Sequence, residues 1–138
     1  AAAKTGSRDS PALRTLVEWL QRRQLTPAVV FSFSRRACEG AAMHARGLNP
    51  LSEPRQAAIR TVFDAAVATL AQADQQVEQI ERMLPLLLRG VAVHHSGLLP
   101  VLKEVVEILF QEGLILFLFA TETFALGLNM PARAVVFT

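Results

Sequence analysis

The sequence lacks several residue types that mark common classes of protein. Its 138 residues include one cysteine and no tyrosine. The single Cys38 cannot build a disulfide framework or a cysteine-based zinc site, since both need several thiols at defined spacings. The formal net charge is only +2 and charged residues make up 19% of the chain, so composition alone does not indicate a nucleic-acid binder.

Long apolar runs and common catalytic signatures are also absent. The apolar run at residues 114–120 is far shorter than the roughly 20 residues that a membrane helix needs. Residues 1–10 lack the apolar core of a secretory signal, and we expect them to form a flexible lead-in. The patterns GxxxxGK(S/T), HExxH and GxGxxG do not occur, so the chain has no phosphate loop of its own to hold a triphosphate with magnesium.

The chain does contain enough apolar material for one core, since hydrophobic residues make up 51% of it. Apolar residues at helical spacing alternate with short β-branched and aromatic runs. Predicted helices span residues 11–24, 35–46, 52–70, 75–88 and 98–112, and predicted strands span residues 28–33, 91–93, 114–120 and 134–138. This alternation predicts an α/β domain whose mostly parallel sheet is flanked by helices. Because the chain ends within a predicted strand, we expect an incomplete sheet with an exposed edge.

Small polar residues and glycines follow three of the predicted strands, at residues 32–36, 94–97 and 121–130. In an open parallel sheet, ligands bind beyond the carboxyl ends of the strands. In the first segment, Ser34 and Arg35 place a hydroxyl and a guanidinium at a helix N-terminus, which suits a phosphate. The competing interpretation is that Ser34 caps the helix and the arginine is solvated.

The second segment begins with His94 and His95. Adjacent side chains in a strand point to opposite faces, so these histidines cannot easily share one metal ion. The nucleophile pattern GxSxG is absent. We therefore expect Ser96 and Gly97 to form the turn and cap that begin the next helix.

The third segment combines Thr121 and Thr123 with Gly127 and Asn129. Threonine hydroxyls and free N–H groups suit a backbone phosphate, and an asparagine suits a ribose hydroxyl. The competing interpretation is helix capping by Thr121 and a turn at Gly127.

Taken in order, these segments resemble the second RecA-like domain of superfamily 2 helicases, and most closely that of the exosome-associated, superkiller-like DExH-box RNA helicases. Residues 27–39 (PAVVFSFSRRACE) resemble motif IV, residues 89–113 (RGVAVHHSGLLPVLKEVVEILFQEG) the segment after it, and residues 119–137 (FATETFALGLNMPARAVVF) motif V with the strand beyond. Residues 51–88 resemble the family's helical insert. The short sequences FSFS (residues 31–34) and FQEG (residues 110–113) resemble the nuclear exosome-cofactor branch of the family more than its cytoplasmic relative.

The resemblance implies a RecA-like parallel sheet flanked by helices, the P-loop NTPase helicase fold, with residues 11–138 as a partial domain and a helical insert at about 51–88. It implies no catalytic or metal-binding residue in this segment. In the full protein it implies ATP and Mg²⁺, bound mainly by a first RecA-like domain. It implies RNA, the exosome and its adaptor proteins as partners, no membrane, and a nuclear location. RNA-backbone contacts are implied for Ser34, Arg35, Ser96, Gly97, Lys103, Thr121 and Thr123, and ATP-ribose contacts for Gly127 and Asn129.

The chain also departs from the family pattern. Ala37 stands where an acidic residue is usual, and Leu116 stands where a lysine is usual. The first RecA-like domain and the arginine-rich motif VI are absent, so we expect these 138 residues alone to have no ATPase or unwinding activity. A truncated, non-catalytic module that binds RNA or a partner is one alternative. A repair-type DNA helicase is another; that group shares the histidine pair and the Gly-x-Asn-x-Pro-Ala element, but not the insert or the wording FATETF.

Overall fold

The computed structural model describes residues 11–32, 34–44, 48–70, 77–121 and 132–137. Their elements are α1 (Pro11–Arg22), β1 (Ala28–Phe31), α2 (Arg35–His44), α3 (Glu53–Val67), α4 (Val77–Leu87), β2 (Val91–His94), α5 (Pro100–Gln111), β3 (Phe117–Ala120) and β4 (Ala134–Phe137). The predicted order of helices and strands is confirmed. The strands predicted at residues 28–33 and 114–120 are each longer than the strand observed.

The four strands form one parallel sheet in the order β2-β3-β1-β4. In the register, Ala28 of β1 lies between Phe117 of β3 and Ala134 of β4. Every residue of β3 is buried, as its continuous apolar sequence predicted for a strand inside a parallel sheet. In the described sheet β4 lies at one edge, and its Val135 and Phe137 are exposed. This α/β architecture is the one that the resemblance to a RecA-like helicase domain implied.

Two helices cover opposite faces of the sheet beside β2. His94 reaches Glu107 of α5, whereas His95 reaches Glu39 of α2. Because successive side chains along a strand alternate between faces, α5 and α2 must lie on different sides. The prediction that the two histidines point apart is confirmed.

Helices α3 and α4 form a hairpin that is packed into the domain. Helix α3 buries Ile59 and Phe63. Both belong to the apolar face that helical spacing predicts for it, which consists of Ile59, Val62, Phe63, Ala66, Val67 and Leu70. Helix α4 buries Met83 and Leu87, whereas helical spacing predicts an apolar stripe of Val77, Ile80, Leu84 and Leu88. The last three are only partly buried, and the side chain of Val77 lies outside the described residues. The most buried face of α4 is therefore rotated from the prediction, because the helix packs against both β2 and α3.

The helix ends agree with the sequence at some positions and not at others. The hydroxyl of Ser34 accepts a hydrogen bond from the Ala37 N–H at 3.0 Å, so Ser34 caps α2. Gly113 follows α5 with a positive φ of 75°, as a helix-terminating glycine does. The sequence also predicts that Ser52 caps α3, and this prediction is wrong. Ser52 precedes α3 but makes no capping bond, and Pro54 lacks one of the two N–H groups that a capping side chain would meet.

The cap expected at Ser96 is also wrong, although the turn is confirmed. Helix α5 begins at Pro100, so its N-cap position is Leu99, which lies beyond Ser96. The N–H of Leu99 donates instead to Oε1 of Gln79 at 2.9 Å, and Nε2 of Gln79 donates to the Gly97 carbonyl at 2.8 Å. The side chain of Gln79, on α4, therefore binds the backbone at the start of α5, where Ser96 was expected to do so.

Candidate nucleic-acid interface

The carboxyl ends of β1, β2 and β3 meet at one edge of the sheet, where the sequence predicted binding segments. The strands are parallel, and β3 separates β1 from β2. Beyond β1, the N–H of Ser32 donates to the Ala120 carbonyl at 2.9 Å. Beyond β3, the N–H of Thr121 donates to the His94 carbonyl at 3.2 Å. The first residues after β1 and β3 are therefore each held against the end of the neighbouring strand, and Thr121 is half-buried.

Ser34 lies exposed at the start of α2. Its oxygen already accepts the Ala37 N–H, so the structural interpretation raised from the sequence is correct. A hydroxyl that accepts one hydrogen bond still has its own proton to donate. Ser34 can thus cap the helix and donate to a phosphate oxygen at the same time.

Arg35 lies beside Ser34, and 57% of its side chain is exposed. Its Nε lies 3.5 Å from Oε2 of Glu39, one turn further along α2. Its guanidinium crosses the sheet edge and lies over Gly97, the glycine that follows β2. A Cβ built on Gly97 would come within 3.0 Å of the guanidinium, so the close approach requires glycine. The structure brings together two predicted phosphate-binding positions from strands that are not neighbours.

His95 lies beneath this contact with only 1% of its side chain exposed. Its Nδ1 accepts the N–H of Gly97 at 3.0 Å, and its Nε2 lies 3.0 Å from Oε2 of Glu39. An Nδ1 that accepts leaves the imidazole proton on Nε2, from which it donates to the carboxylate. Burial lowers the pKa of His95 below its usual 6.5, although Glu39 acts in the opposite direction, so the ring is neutral at pH 7.

The remaining predicted site residues differ in how the structure places them. Ser96 is exposed in the turn between His95 and α5. Lys103 is half-buried in the first turn of α5, on the same helix face as Glu107 four residues later. Thr123, Gly127 and Asn129 lie outside the described residues.

Two members of this network, Glu39 and His95, were not among the predicted site residues. Glu39 lies four residues after Arg35 in a predicted helix, a spacing that favours an ion pair. The histidine pair indicated at most a metal site, which adjacent positions of a strand disfavour. Nothing local to Gln79 indicated its two bonds to the turn, because they join segments that are far apart in sequence.

A cleft of about 900 Å³ lies between α2 and α4, beside His95. Its wall contains as many carboxylates as guanidiniums. Because the charges balance, the cleft offers a polyanion no net attraction. We therefore place the candidate interface at the strand ends, where Arg35 lies over Gly97, although Arg35, Glu39 and His95 also line the cleft. The charged lining residues are Arg35, Arg36 and Arg82 with Glu39, Glu78 and Glu81.

Within the described ranges, no group of three His, Cys, Asp or Glu side chains is placed to hold a metal ion. Among the described helices, none is long and apolar enough to cross a bilayer.

Comparison with known proteins identifies the family. The chain is 48% identical over 135 residues to the ATP-dependent RNA helicase mtr4 of Schizosaccharomyces pombe, covering 98% of this chain and 12% of that protein. It is 44% identical over 135 residues to the human exosome RNA helicase MTR4, covering 98% of this chain and 13% of that protein. It is 43% identical to the antiviral helicase SKI2 of Saccharomyces cerevisiae, covering 96% of this chain and 10% of that protein. No family model matches the chain.

The parallel sheet and the strand-end cluster agree with these similarities, which extend over nearly the whole chain. The chain belongs to the exosome-associated, superkiller-like DExH-box RNA helicases. It spans only 10% to 13% of the length of the three relatives described.

Proposed function

We propose that this chain is part of the second RecA-like domain of an ATP-dependent RNA helicase, which unwinds RNA or feeds it to the exosome for processing and decay. The observation that carries the proposal is the placement of Arg35 over Gly97, beside Ser34 and Thr121, in a chain homologous to RNA helicases. The guanidinium, the hydroxyls and a helix N-terminus are all donors suited to phosphate oxygens.

In this proposal the segment binds the RNA backbone and makes no base-specific contacts. Phosphate contacts fix position without carrying sequence information, as translocation along any RNA requires. ATP closes the two RecA-like domains around the strand, and hydrolysis reopens them. The RNA contacts are assigned to Ser34, Arg35, Ser96, Gly97, Lys103, Thr121 and Thr123.

ATP and Mg²⁺ are assigned mainly to a first RecA-like domain. These 138 residues contain no phosphate loop, and we therefore expect them to be inactive by themselves. Gly127 and Asn129 are proposed to approach the ATP ribose and couple the nucleotide state to the grip on RNA.

The exosome and its adaptor proteins are the proposed partners, and the nucleus, in its nucleolus or nucleoplasm, is the proposed location. The human relative is named an exosome RNA helicase, which supports the exosome as a partner. The wordings FSFS and FQEG support the nuclear branch rather than the branch of SKI2.

The test uses the full-length protein that contains these residues. We expect RNA-stimulated ATP hydrolysis and ATP-dependent displacement of a short RNA strand from a tailed duplex, assayed with a tail at either end. Stimulation by DNA alone would favour the repair-type DNA helicase. RNA binding with no hydrolysis would favour the non-catalytic binding module, and either result would overturn the proposal.

A further inference from the structure

Two side chains at the candidate interface share one carboxylate oxygen. Oε2 of Glu39 lies 3.5 Å from Nε of Arg35 and 3.0 Å from Nε2 of His95. Glu39 is 47% exposed and His95 is 1% exposed, so the carboxylate joins a solvent-facing cation to a buried ring. A buried donor of this kind fixes the carboxylate more firmly than an exposed ion pair does by itself.

The contacts continue from His95 to the turn after β2. Nδ1 of His95 accepts the Gly97 N–H at 3.0 Å, and Gly97 in turn lies under the guanidinium of Arg35. The four residues therefore form a closed ring of contacts. The ring joins the residues after β1 to the residues after β2, although β3 lies between these strands.

We propose that Glu39 and His95 are positioning residues, which hold the guanidinium of Arg35 against the turn at Gly97 so that it meets an RNA phosphate in a fixed orientation. This inference rests on the proposed RNA-binding function and adds two residues to it. An arginine held in place loses less side-chain entropy on binding than a free one.

For the removal of Glu39, the proposal predicts a change in RNA affinity opposite to the one that net charge alone predicts. Glu39 is an anion beside a proposed phosphate site, so its removal adds positive charge and by charge alone strengthens RNA binding. If Glu39 positions Arg35, its removal weakens binding despite the more favourable charge. The direction of the change therefore separates the two roles.

The experiment measures the affinity of the full-length protein for single-stranded oligouridylate RNA by fluorescence anisotropy, at one fixed salt concentration. Glu39→Gln keeps the size of the side chain and an oxygen that accepts the His95 proton, but it removes the charge that holds Arg35. We expect RNA binding about threefold to tenfold weaker. Unchanged or tighter binding overturns the inference.

The matched control is Glu107→Gln. Glu107 accepts from His94 at 2.9 Å on the opposite face of the sheet, in the same kind of pair but without Arg35. We expect its RNA affinity to be no weaker than the wild-type value, since its removal takes away one negative charge near Lys103 and no support of Arg35. If both variants lose affinity equally, the loss reflects a general disturbance of the fold, and the inference fails.

A double-mutant cycle tests whether Glu39 acts through Arg35. We expect Arg35→Ala to weaken RNA binding. It should also reduce the magnitude of the slope of log K for binding against log salt concentration by about 1, the value for one phosphate contact. Adding Glu39→Gln to Arg35→Ala should then produce no further loss. An equal loss from Glu39→Gln in both backgrounds contradicts a positioning role.

The same measurements separate failure of this inference from failure of the proposed function. A wild-type protein that does not bind RNA refutes the proposed function. A normal affinity in Arg35→Ala refutes the assignment of the site. A weakened Arg35→Ala with a normal Glu39→Gln refutes only the positioning role.

Discussion

Two adjacent histidines in this chain each hydrogen-bond to a glutamate carboxylate, but the two pairs have different neighbours. His94 meets Glu107 at 2.9 Å and His95 meets Glu39 at 3.0 Å, and both rings are almost fully buried. The pair on α5 joins a strand to the helix that covers it. The pair on α2 also reaches Arg35 and the turn at Gly97. Equal local geometry therefore does not imply an equal role.

The difference arises from the neighbours of each carboxylate. Glu39 has Arg35 one turn before it on α2, and that arginine reaches the next strand end. Glu107 has Lys103 at the same spacing on α5, a compact ammonium that lacks the planar fork of a guanidinium. A guanidinium can lie flat on a glycine and present several donors to a phosphate. Of the two histidine–glutamate pairs, only His95–Glu39 therefore supports such a group, the guanidinium of Arg35, at the interface.

Replacing each histidine by alanine should give the largest effects in this comparison. Each variant loses a buried ring and a hydrogen bond, and we expect local stability to fall by about 2–4 kcal/mol in both. Hydrogen exchange of the peptides that cover β2 and α5 in the full-length protein measures this loss. Only His95→Ala should also weaken RNA binding, because only His95 supports Glu39 and Gly97.

The binding measurement is made at a temperature where hydrogen exchange shows both variants folded. His94→Ala is then the control for lost stability. Equal losses of RNA affinity in the two variants would show that burial alone, and not the network, sets the effect.

Two glycine substitutions sharpen the comparison at a smaller scale. Gly97→Ala forces the guanidinium of Arg35 away, and the exposed arginine can yield without unfolding the domain. We expect RNA binding about threefold weaker with little change in stability. Gly113→Ala meets no atom within 4 Å, but its φ of 75° strains an alanine, so stability should fall by about 1 kcal/mol with RNA affinity unchanged.

Affinity and thermal unfolding of both variants are measured side by side. A Gly97→Ala protein that binds RNA normally would show that the position of Arg35 over the turn is not needed for binding. That outcome would count against the ring of contacts even if Arg35 itself contacts RNA.

The sequence predicted the sheet because its signals are local. The apolar run that contains Phe117 to Ala120 identified a strand buried on both faces, and the alternation of elements predicted parallel pairing. The start of that strand was predicted too early. Leu116 donates to the Gly90 carbonyl and accepts from the Ala28 N–H, so the chain joins its neighbours there before regular pairing begins.

The candidate site was predicted as positions and not as a network. The strand end indicated Ser34 and Arg35, since ligands bind at that edge of a parallel sheet, whereas an RNA contact at Gly97 was implied only by the family resemblance. The contact of Arg35 with Gly97 depends on the strand order and on α2 crossing above β3, which no local pattern encodes. The bonds of Gln79 to the same turn depend likewise on how the α3–α4 hairpin packs.

The smallest expected effect is a pH dependence of stability that comes from His95. Burial lowers the pKa of its folded state below 6.5, with Arg35 and His94 acting in the same direction and Glu39 opposing them. Below pH 6.5 the unfolded chain therefore binds more protons than the folded one, so stability falls as the pH falls and is insensitive to this group above that value. Hydrogen exchange of the β2 peptide between pH 5 and 7.5, corrected for intrinsic exchange, should show the decline in the wild type and a shallower one in His95→Gln. Because carboxylates titrate mostly near pH 4, an equal decline in both proteins would mean that the proton taken up on unfolding belongs to another group, and that the folded state does not keep His95 neutral.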